Sequence, residues 1–254
     1  MNMHRPAQPA ADAPPDWFRL AFDAIYPLIY QHRDDESAKR EITALIHTLN
    51  PRPGGRVIDI ACGAGRHLRA LRDAGFHAVG MDLSRTLLRE AADRRQLRGC
   101  VVCGDVRAIP FAPVFDIAVN LFNSFGYFAD NAKNLAALRS MAGVLRPGGT
   151  LVMEHINPRK LKAELVPMDV KRVGELTVES RRTIEGDYVC KQMTIRRDNG
   201  DEERITERVR LFSPDELAEW FARAGLRVAR RMGSFDGAAL RDNSPRVLMV
   251  GVRA

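Results

Sequence analysis

Short apolar runs at Val57–Ile60, His77–Met81, Cys100–Gly104, Phe115–Leu121 and Thr150–His155 punctuate the middle of the chain. Between them the apolar positions switch to helical spacing: Leu68 and Leu71, then Leu87, Leu88, Ala91, Ala92 and Leu97 behind a Ser84 N-cap, then Asn131 to Leu145. The middle of the chain therefore reads as strands alternating with helices.

The flanks read differently. Trp17, Leu20, Ala21, Ala24, Ile25 and Leu28 keep a helical spacing that Pro27 kinks or divides. A second helix is predicted over Asp34 to Leu49, with Ala38, Ile42, Leu45, Ile46 and Leu49 on one face. Pro51 and Pro53-Gly54-Gly55 mark the entry to the central part. Between Pro158 and Phe212 the pattern turns from helical to alternating. Three antiparallel strands with one buried face are predicted there, over 175–184, Tyr188–Ile195 and Ile205–Leu211. Ser213-Pro214-Asp215-Glu216 is a capping box, Gly225 stops the helix it begins, and strands at Arg227–Met232 and Arg246–Arg253 finish the chain.

A chain of 254 residues can bury a sizeable core as one domain or two. Its first 15 residues are rich in Ala and Pro and are expected to be disordered. Nothing approaches the ~20 apolar residues of a membrane helix. No apolar signal core follows a basic start, so a cytoplasmic location is expected. The net charge of +7 raises nucleic acid as a partner. Its arginines are scattered, however, and no aromatic-rich basic stripe accompanies them, which disfavours that reading. Four cysteines do not make a disulfide framework at this length. Cys100 and Cys103 lie in or beside a strand, where residues three apart point to opposite faces, so no redox or zinc site is predicted from them.

The chemistry concentrates at strand ends. After Asp59 and Ile60 the chain reads Ala61-Cys62-Gly63-Ala64-Gly65 and enters a helix at once. Such a turn lets a ligand approach the backbone and face unpaired helix N–H groups. It is neither a G-x-G-x-x-G fingerprint nor a phosphate loop. Asp82 closes the second strand, where a Rossmann-like unit holds a ribose through both hydroxyls.

D-I-A-C-G-A-G, V-G-M-D-L-S, G-D-V, F-D-I-A-V-N and L-R-P-G-G-T-L occur in that order over residues 56 to 154. This set resembles the class I S-adenosylmethionine-dependent methyltransferases. C-G-A-G-R-H with N-L-F-N-S-F-G-Y-F resembles a bacterial subgroup that acts on small molecules. One departure is Ala61 at the first glycine of the family loop, which the loop tolerates if φ is negative there.

The resemblance implies a Rossmann-like, mostly parallel seven-stranded sheet flanked by helices, with an N-terminal helical lid and an antiparallel β insertion. The expected organisation is a tail over 1–15 and one methyltransferase domain over 16–254. Within it lie a lid over 16–50, a cofactor core over 56–155, the β insertion over 158–212 and the rest of the core over 213–254. The cofactor implied is S-adenosyl-L-methionine, with S-adenosyl-L-homocysteine as product. Asp59 would meet its ammonium, Ala61, Gly63 and Gly65 would make room for its methionine end, and Asp82 would hold its ribose. Asp105 and Val106 would read the adenine edge, and Leu83 and Phe122 would flank the ring. Asn120 belongs to the same strand-end set. Tyr26, Tyr30 and Arg33 read either as a packing face or as the lid over the sulfonium and carboxylate.

Methyl transfer is an in-line displacement that needs alignment above all, and a base only where the acceptor must lose a proton. His155, beside Glu154, is the candidate base, with the competing reading of a loop histidine bonded to backbone. Tyr127 is a candidate for orienting the acceptor. No metal is predicted. The function implied is methyl transfer to an O, N or C atom of a small molecule. The alternatives are an RNA or protein methyltransferase, a non-catalytic cofactor-binding module and, more weakly, a dehydrogenase. The insertion serves either as a cap on the substrate pocket or as a homodimer contact.

Overall fold

The computed structural model describes residues 16–22, 25–30 and 34–254. Arg33 and the tail over 1–15 therefore lie outside the described residues. The elements begin with α1 (Trp17–Ala21), α2 (Tyr26–Ile29) and α3 (Asp35–Leu49). Pro27 stands in the first turn of α2, where its missing N–H costs nothing. Asp34 caps α3 by accepting the Ser37 N–H at 2.7 Å, and Ala38, Ile42 and Leu45 form its buried face.

The core runs β1 (Arg56–Ile60), α4 (Arg66–Asp73), β2 (His77–Asp82), α5 (Arg85–Arg94), β3 (Val101–Cys103), β4 (Phe115–Asn120), α6 (Asn131–Gly143) and β5 (Leu145–Ile156). After α7 (Pro158–Glu164) come β6 (Met168–Val173), β7 (Leu176–Glu185), β8 (Tyr188–Arg197) and β9 (Glu202–Arg210). The chain ends with α8 (Pro214–Arg223), β10 (Leu226–Met232) and β11 (Arg246–Arg253).

Seven strands form one sheet in the order β10-β11-β5-β4-β1-β2-β3. β1 through β5 are parallel to their neighbours, while β11 runs antiparallel to both β5 and β10. Val57, Ile58 and Ile60 are fully buried, as a central parallel strand covered on both faces requires. The order reverses between β1 and β4, which opens a crevice above their C-terminal ends. Asp59, Asp82 and Asn120 all stand at that edge. Among the described residues no helix is long and apolar enough to cross a membrane.

The insertion opens with helix α7, a segment for which no element was predicted, because Asn157 caps it through the Arg159 N–H and Pro158 fits its first turn. The sheet then has four strands, β6-β7-β8-β9, where three were expected. β6 escaped the pattern because it is an edge strand with outward apolar residues. Met168 and Val170 are exposed, and pairing with β7 (Asp169 opposite Ser180) is what makes it a strand.

The small sheet shares a core with the large one: Val178, Met193, Ile195 and Val209 join Trp17, Phe18, Phe125 and Phe212. Backbone contacts fix its position. The Arg210 N–H donates to the Gly126 carbonyl at 2.8 Å, and a Cβ on Gly126 would come within 2.9 Å of the Arg210 carbonyl oxygen. The sheet therefore stands directly over the loop that follows β4.

Gly65 has φ +82, and a Cβ there would lie 2.6 Å from Leu97 and 3.1 Å from Ala91. Gly75 has a similar φ of +87 but open space around it. We expect Gly65→Ala to lower the unfolding free energy by about 3 kcal/mol, from left-handed strain plus overpacking. Gly75→Ala should cost about 1 kcal/mol, from strain alone. Denaturant unfolding of the two variants measures the difference.

Candidate active site

The turn after β1 is built from three consecutive constraints. Ala61 has φ +60, Gly63 +54 and Gly65 +82. The negative φ expected at Ala61 is not what the chain adopts. The Cys62 N–H must reach the Met81 carbonyl at 3.0 Å, so the chain swings out of the sheet at once, and Ala61 accepts the left-handed conformation. Its methyl group is the smallest side chain that bears that strain.

Asp82 holds this turn to the tip of β2. Its Oδ2 accepts the Gly63 N–H at 2.7 Å and its Oδ1 accepts the Ser84 N–H at 2.8 Å. Burial pushes its pKa up against these bonds. Asp59 is 2 % exposed, and its Oδ2 has no hydrogen-bond partner among the described residues. Burial first and the Asp82 carboxylate second raise its pKa to about 7, opposed by Arg66. Asp105 differs: Arg107 grips both its oxygens, at 2.9 and 2.6 Å, and holds it below the usual carboxylate range.

These three acids open on one cleft of about 610 Å³. Ala61, Gly63, Leu83, Val106 and Phe122 line it as well, and Tyr26, Tyr30 and Tyr127 close its far side. Of the expected site residues, one lies outside the described residues and three stand away from this cleft. Arg33 is outside the described residues. Gly65 does not face the cleft, because its bare α-carbon is pressed against Ala91 and Leu97 and seats α4 on α5. Asn120 is fully buried and serves as a brace. Its Nδ2 donates to the Ile60 carbonyl at 3.0 Å, tying the end of β4 to the end of β1.

His155 is the fourth, and the reading of it as a base is overturned. Side chains alternate along β5, so Glu154 faces the cavity side and His155 the opposite one. His155 is fully buried, packs edge-on against Phe212, and accepts the Phe212 N–H on Nε2 at 3.3 Å. Burial depresses its pKa to about 4. It reaches neither cavity.

A second cavity of about 790 Å³ lies between the N-terminal helices, the loop after β4 and the inner face of the small sheet. Phe22, Tyr26, Tyr30, Phe122 and Tyr127 line both cavities and form the partition between them. Phe122 and Asn123 both have left-handed backbone, with φ +63 and +60. Glu154 stabilises that bend by accepting the Phe122 N–H at 2.9 Å, while the Arg66 guanidinium lies 4.2 Å above the Phe122 ring. Glu154 is itself buried, which raises its pKa, and Arg246 stands 3.2 Å away. His67 is buried beside Glu41 at 2.8 Å.

The second cavity also contains charged residues that motif reasoning missed. Lys191 donates to the Tyr30 hydroxyl oxygen at 2.6 Å, and that hydroxyl donates to Glu207 at 3.1 Å. Asp169 and Arg182 form an ion pair nearby. A signal for two of these was present in the sequence. Lys191 sits in phase with Val189, Met193 and Ile195, and Glu207 with Ile205 and Val209. A charge in the inward phase of an amphipathic strand marks a polar cavity. Among the described residues no group of three or more His, Cys, Asp and Glu side chains is placed to hold a metal ion.

Comparison with known proteins agrees with this geometry. The family pattern described as a methyltransferase domain matches residues 57–149. A dTDP-3-amino-3,4,6-trideoxy-alpha-D-glucopyranose N,N-dimethyltransferase of Streptomyces venezuelae is 30% identical over 226 residues, covering 85% of this chain and 94% of that one. A dTDP-3-amino-3,6-dideoxy-alpha-D-glucopyranose N,N-dimethyltransferase of Streptomyces fradiae is 28% identical over 233 residues, covering 85% of this chain and 88% of that one. Among solved structures, the sugar N-methyltransferase KedS8 from Streptoalloteichus superposes with a TM-score of 0.70 at 26% identity, covering 100% of this chain and 99% of that one. An S-adenosylmethionine-dependent methyltransferase from Clostridium acetobutylicum gives a TM-score of 0.76 at 16% identity over 91% of this chain and 96% of that one, a likeness of fold.

Asp59 makes stability depend on pH. Its folded carboxyl, with a pKa of about 7, keeps its proton longer than an unfolded one at 3.8. The stability it contributes is full below about pH 4 and is lost as pH rises through about 7. Asp59→Asn should flatten that fall, so the variant gains on the wild type from pH 5 to pH 8. Thermal unfolding of the ligand-free proteins across that range checks it.

Proposed function

The chain belongs to the class I S-adenosylmethionine-dependent methyltransferases and transfers methyl groups to a small-molecule acceptor; from that premise we propose that the acceptor atom is an amine nitrogen, carried on an amino sugar or a similar polar metabolite. The observation that carries this reading is the second cavity, which meets the first through a thin aromatic partition and contains both carboxylates and cations. Glu207, which is in no ion pair among the described residues, suits an ammonium, and Lys191 suits an anionic substituent on the same molecule. Two relatives that align along most of this chain are named for N,N-dimethylation of amino sugars.

When bound, S-adenosylmethionine supplies a methyl carbon on a positively charged sulfur. The residues at the first cavity fit that molecule. In our reading the unpartnered Oδ2 of Asp59 accepts from its ammonium, and Ala61 and Gly63 leave space for its methionine end. Asp82 takes the ribose hydroxyls, Asp105 and the Val106 N–H take the adenine edge, and Leu83 and Phe122 flank the ring. Tyr26, Tyr30 and Tyr127 enclose the sulfonium, where aromatic faces favour a cation and exclude water. Tyr127 also orients the acceptor.

A nucleic-acid substrate finds less support. Much of the positive surface is neutralised in place, by pairs such as Arg98–Asp93, Arg172–Asp198, Arg181–Glu179 and Arg196–Glu202. A non-catalytic module would not need the second cavity. We also propose that the insertion pairs two copies of the chain. Val166, Met168 and Val170, at every second position along or beside the edge strand β6, are 56, 51 and 56 % exposed. That apolar row fits a self-complementary contact. Val170→Glu should then convert a dimer to a monomer by light scattering, and a wild-type monomer would end the idea.

Asp82→Ala should weaken S-adenosylmethionine binding by about 1–3 kcal/mol in calorimetry, since a charged acceptor is lost. Unchanged affinity would remove the ribose assignment. Labelled methyl transfer from S-adenosylmethionine to dTDP-amino sugars, read by mass spectrometry, tests the acceptor class. The product expected carries one or two methyl groups on nitrogen.

A further inference from the structure

Building on the amine reading above, we propose that Glu207 is the residue that receives the proton of the acceptor nitrogen. Three carboxylates reach the acceptor cavity, and two are already occupied. Glu154 uses Oε2 for the Phe122 N–H and faces Arg246 with Oε1. Asp169 is clamped by Arg182, and Lys171 lies 3.9 Å away. Glu207 forms no ion pair among the described residues. Its bond is to a neutral group, the Tyr30 hydroxyl, at 3.1 Å from Oε1.

The cation that would neutralise Glu207 is directed elsewhere. Lys191 is its direct cross-strand partner on β8, yet its ammonium donates to the Tyr30 oxygen at 2.6 Å. Lys191 thus turns the phenol so that its hydrogen points at Glu207. The carboxylate is oriented through one oxygen. Tyr30 belongs to the partition, so this group stands on the wall shared by the cavities we assign to cofactor and acceptor.

An aliphatic amine is mostly ammonium at neutral pH and has no lone pair with which to attack. One N–H bond breaks and its proton binds a Glu207 oxygen. The freed pair forms the N–C bond as the C–S bond breaks, and that bond's electrons return to sulfur. The product leaves as a methylammonium, and Glu207 releases its proton to solvent. The titratable and charged groups around this step are Tyr26 and Tyr30 from α2 and its end, Tyr127 from the loop after β4, Lys191 from β8, Asp169, Lys171 and Arg172 from β6, Arg182 from β7 and Glu154 from β5.

The test uses the full chain, dTDP-3-amino-3,6-dideoxy-α-D-glucopyranose and other amino sugars as acceptors, and Glu207→Gln. The amide still accepts from Tyr30, so the fold is preserved. Turnover at pH 7 should fall about 100-fold, and most of it should return by pH 10, where the amine is already neutral. Affinity of the S-adenosylhomocysteine complex for the acceptor should fall about tenfold, and S-adenosylmethionine binding should stay within about twofold. Glu207→Asp, which keeps the carboxylate, should retain part of the rate. A wild type that methylates no amine overturns the amine reading, and this proposal with it. A wild type that turns over while Glu207→Gln matches it at pH 7 overturns Glu207 alone. Equal losses at every pH, or equal losses in the Gln and Asp variants, assign Glu207 to structure and overturn it too.

Discussion

A single carboxylate holds the strand-end turns of this molecule together. Asp82 ends β2, and its two oxygens bind the Gly63 and Ser84 N–H groups at 2.7 and 2.8 Å. It thereby joins the turn after β1 to the cap of α5. The bonds stabilise a charge that burial opposes, and Asp59 lies close enough to feel the repulsion. In both acids burial disfavours the charged form, which a cation placed beside them would stabilise. The strain at Ala61 follows from the same need to bring the chain around above the strand ends.

The second organising feature is the aromatic partition. Tyr26, Tyr30, Phe122 and Tyr127 come from two distant parts of the chain and separate a nucleoside-sized cavity from one with charged walls. The partition is anchored from three sides. Trp17 packs 4.9 Å from the Tyr127 ring and donates to its carbonyl. Glu154 holds the Phe122 amide, and the small sheet holds Tyr30. Methyl transfer needs two reactants aligned through a narrow opening, with water kept out. In our proposal this wall does that, with β8 and β9 as part of the roof of the second cavity.

Much of this was legible beforehand because local physics dictates it. Continuous apolar runs become buried parallel strands, and a small-residue turn before a helix becomes a ligand cradle. An acid at the tip of such a strand then faces the crevice at the sheet's reversal point. Asp59, Asp82 and Asp105 open on one cleft for those reasons. The N-terminal tyrosines line it too. β6 was hidden because an edge strand with outward apolar residues carries no inward alternation.

What only the tertiary structure decided concerns parity and partnership. Whether His155 or Glu154 faces the cavity depends on which side of the sheet each strand position takes, and neighbours in sequence take opposite sides. Asn120 became a brace because the Ile60 carbonyl of the adjacent strand needed a donor. Gly65 turned toward α5, where a methyl group would not fit. Tyr30 and Glu207 are 177 residues apart, and no local pattern joins them. The sequence by itself determined the sheet, the turn and the acids at its edge, since each rests on residues near in the chain. The second cavity depends on distant elements meeting, so its chemistry emerged only when the fold was assembled.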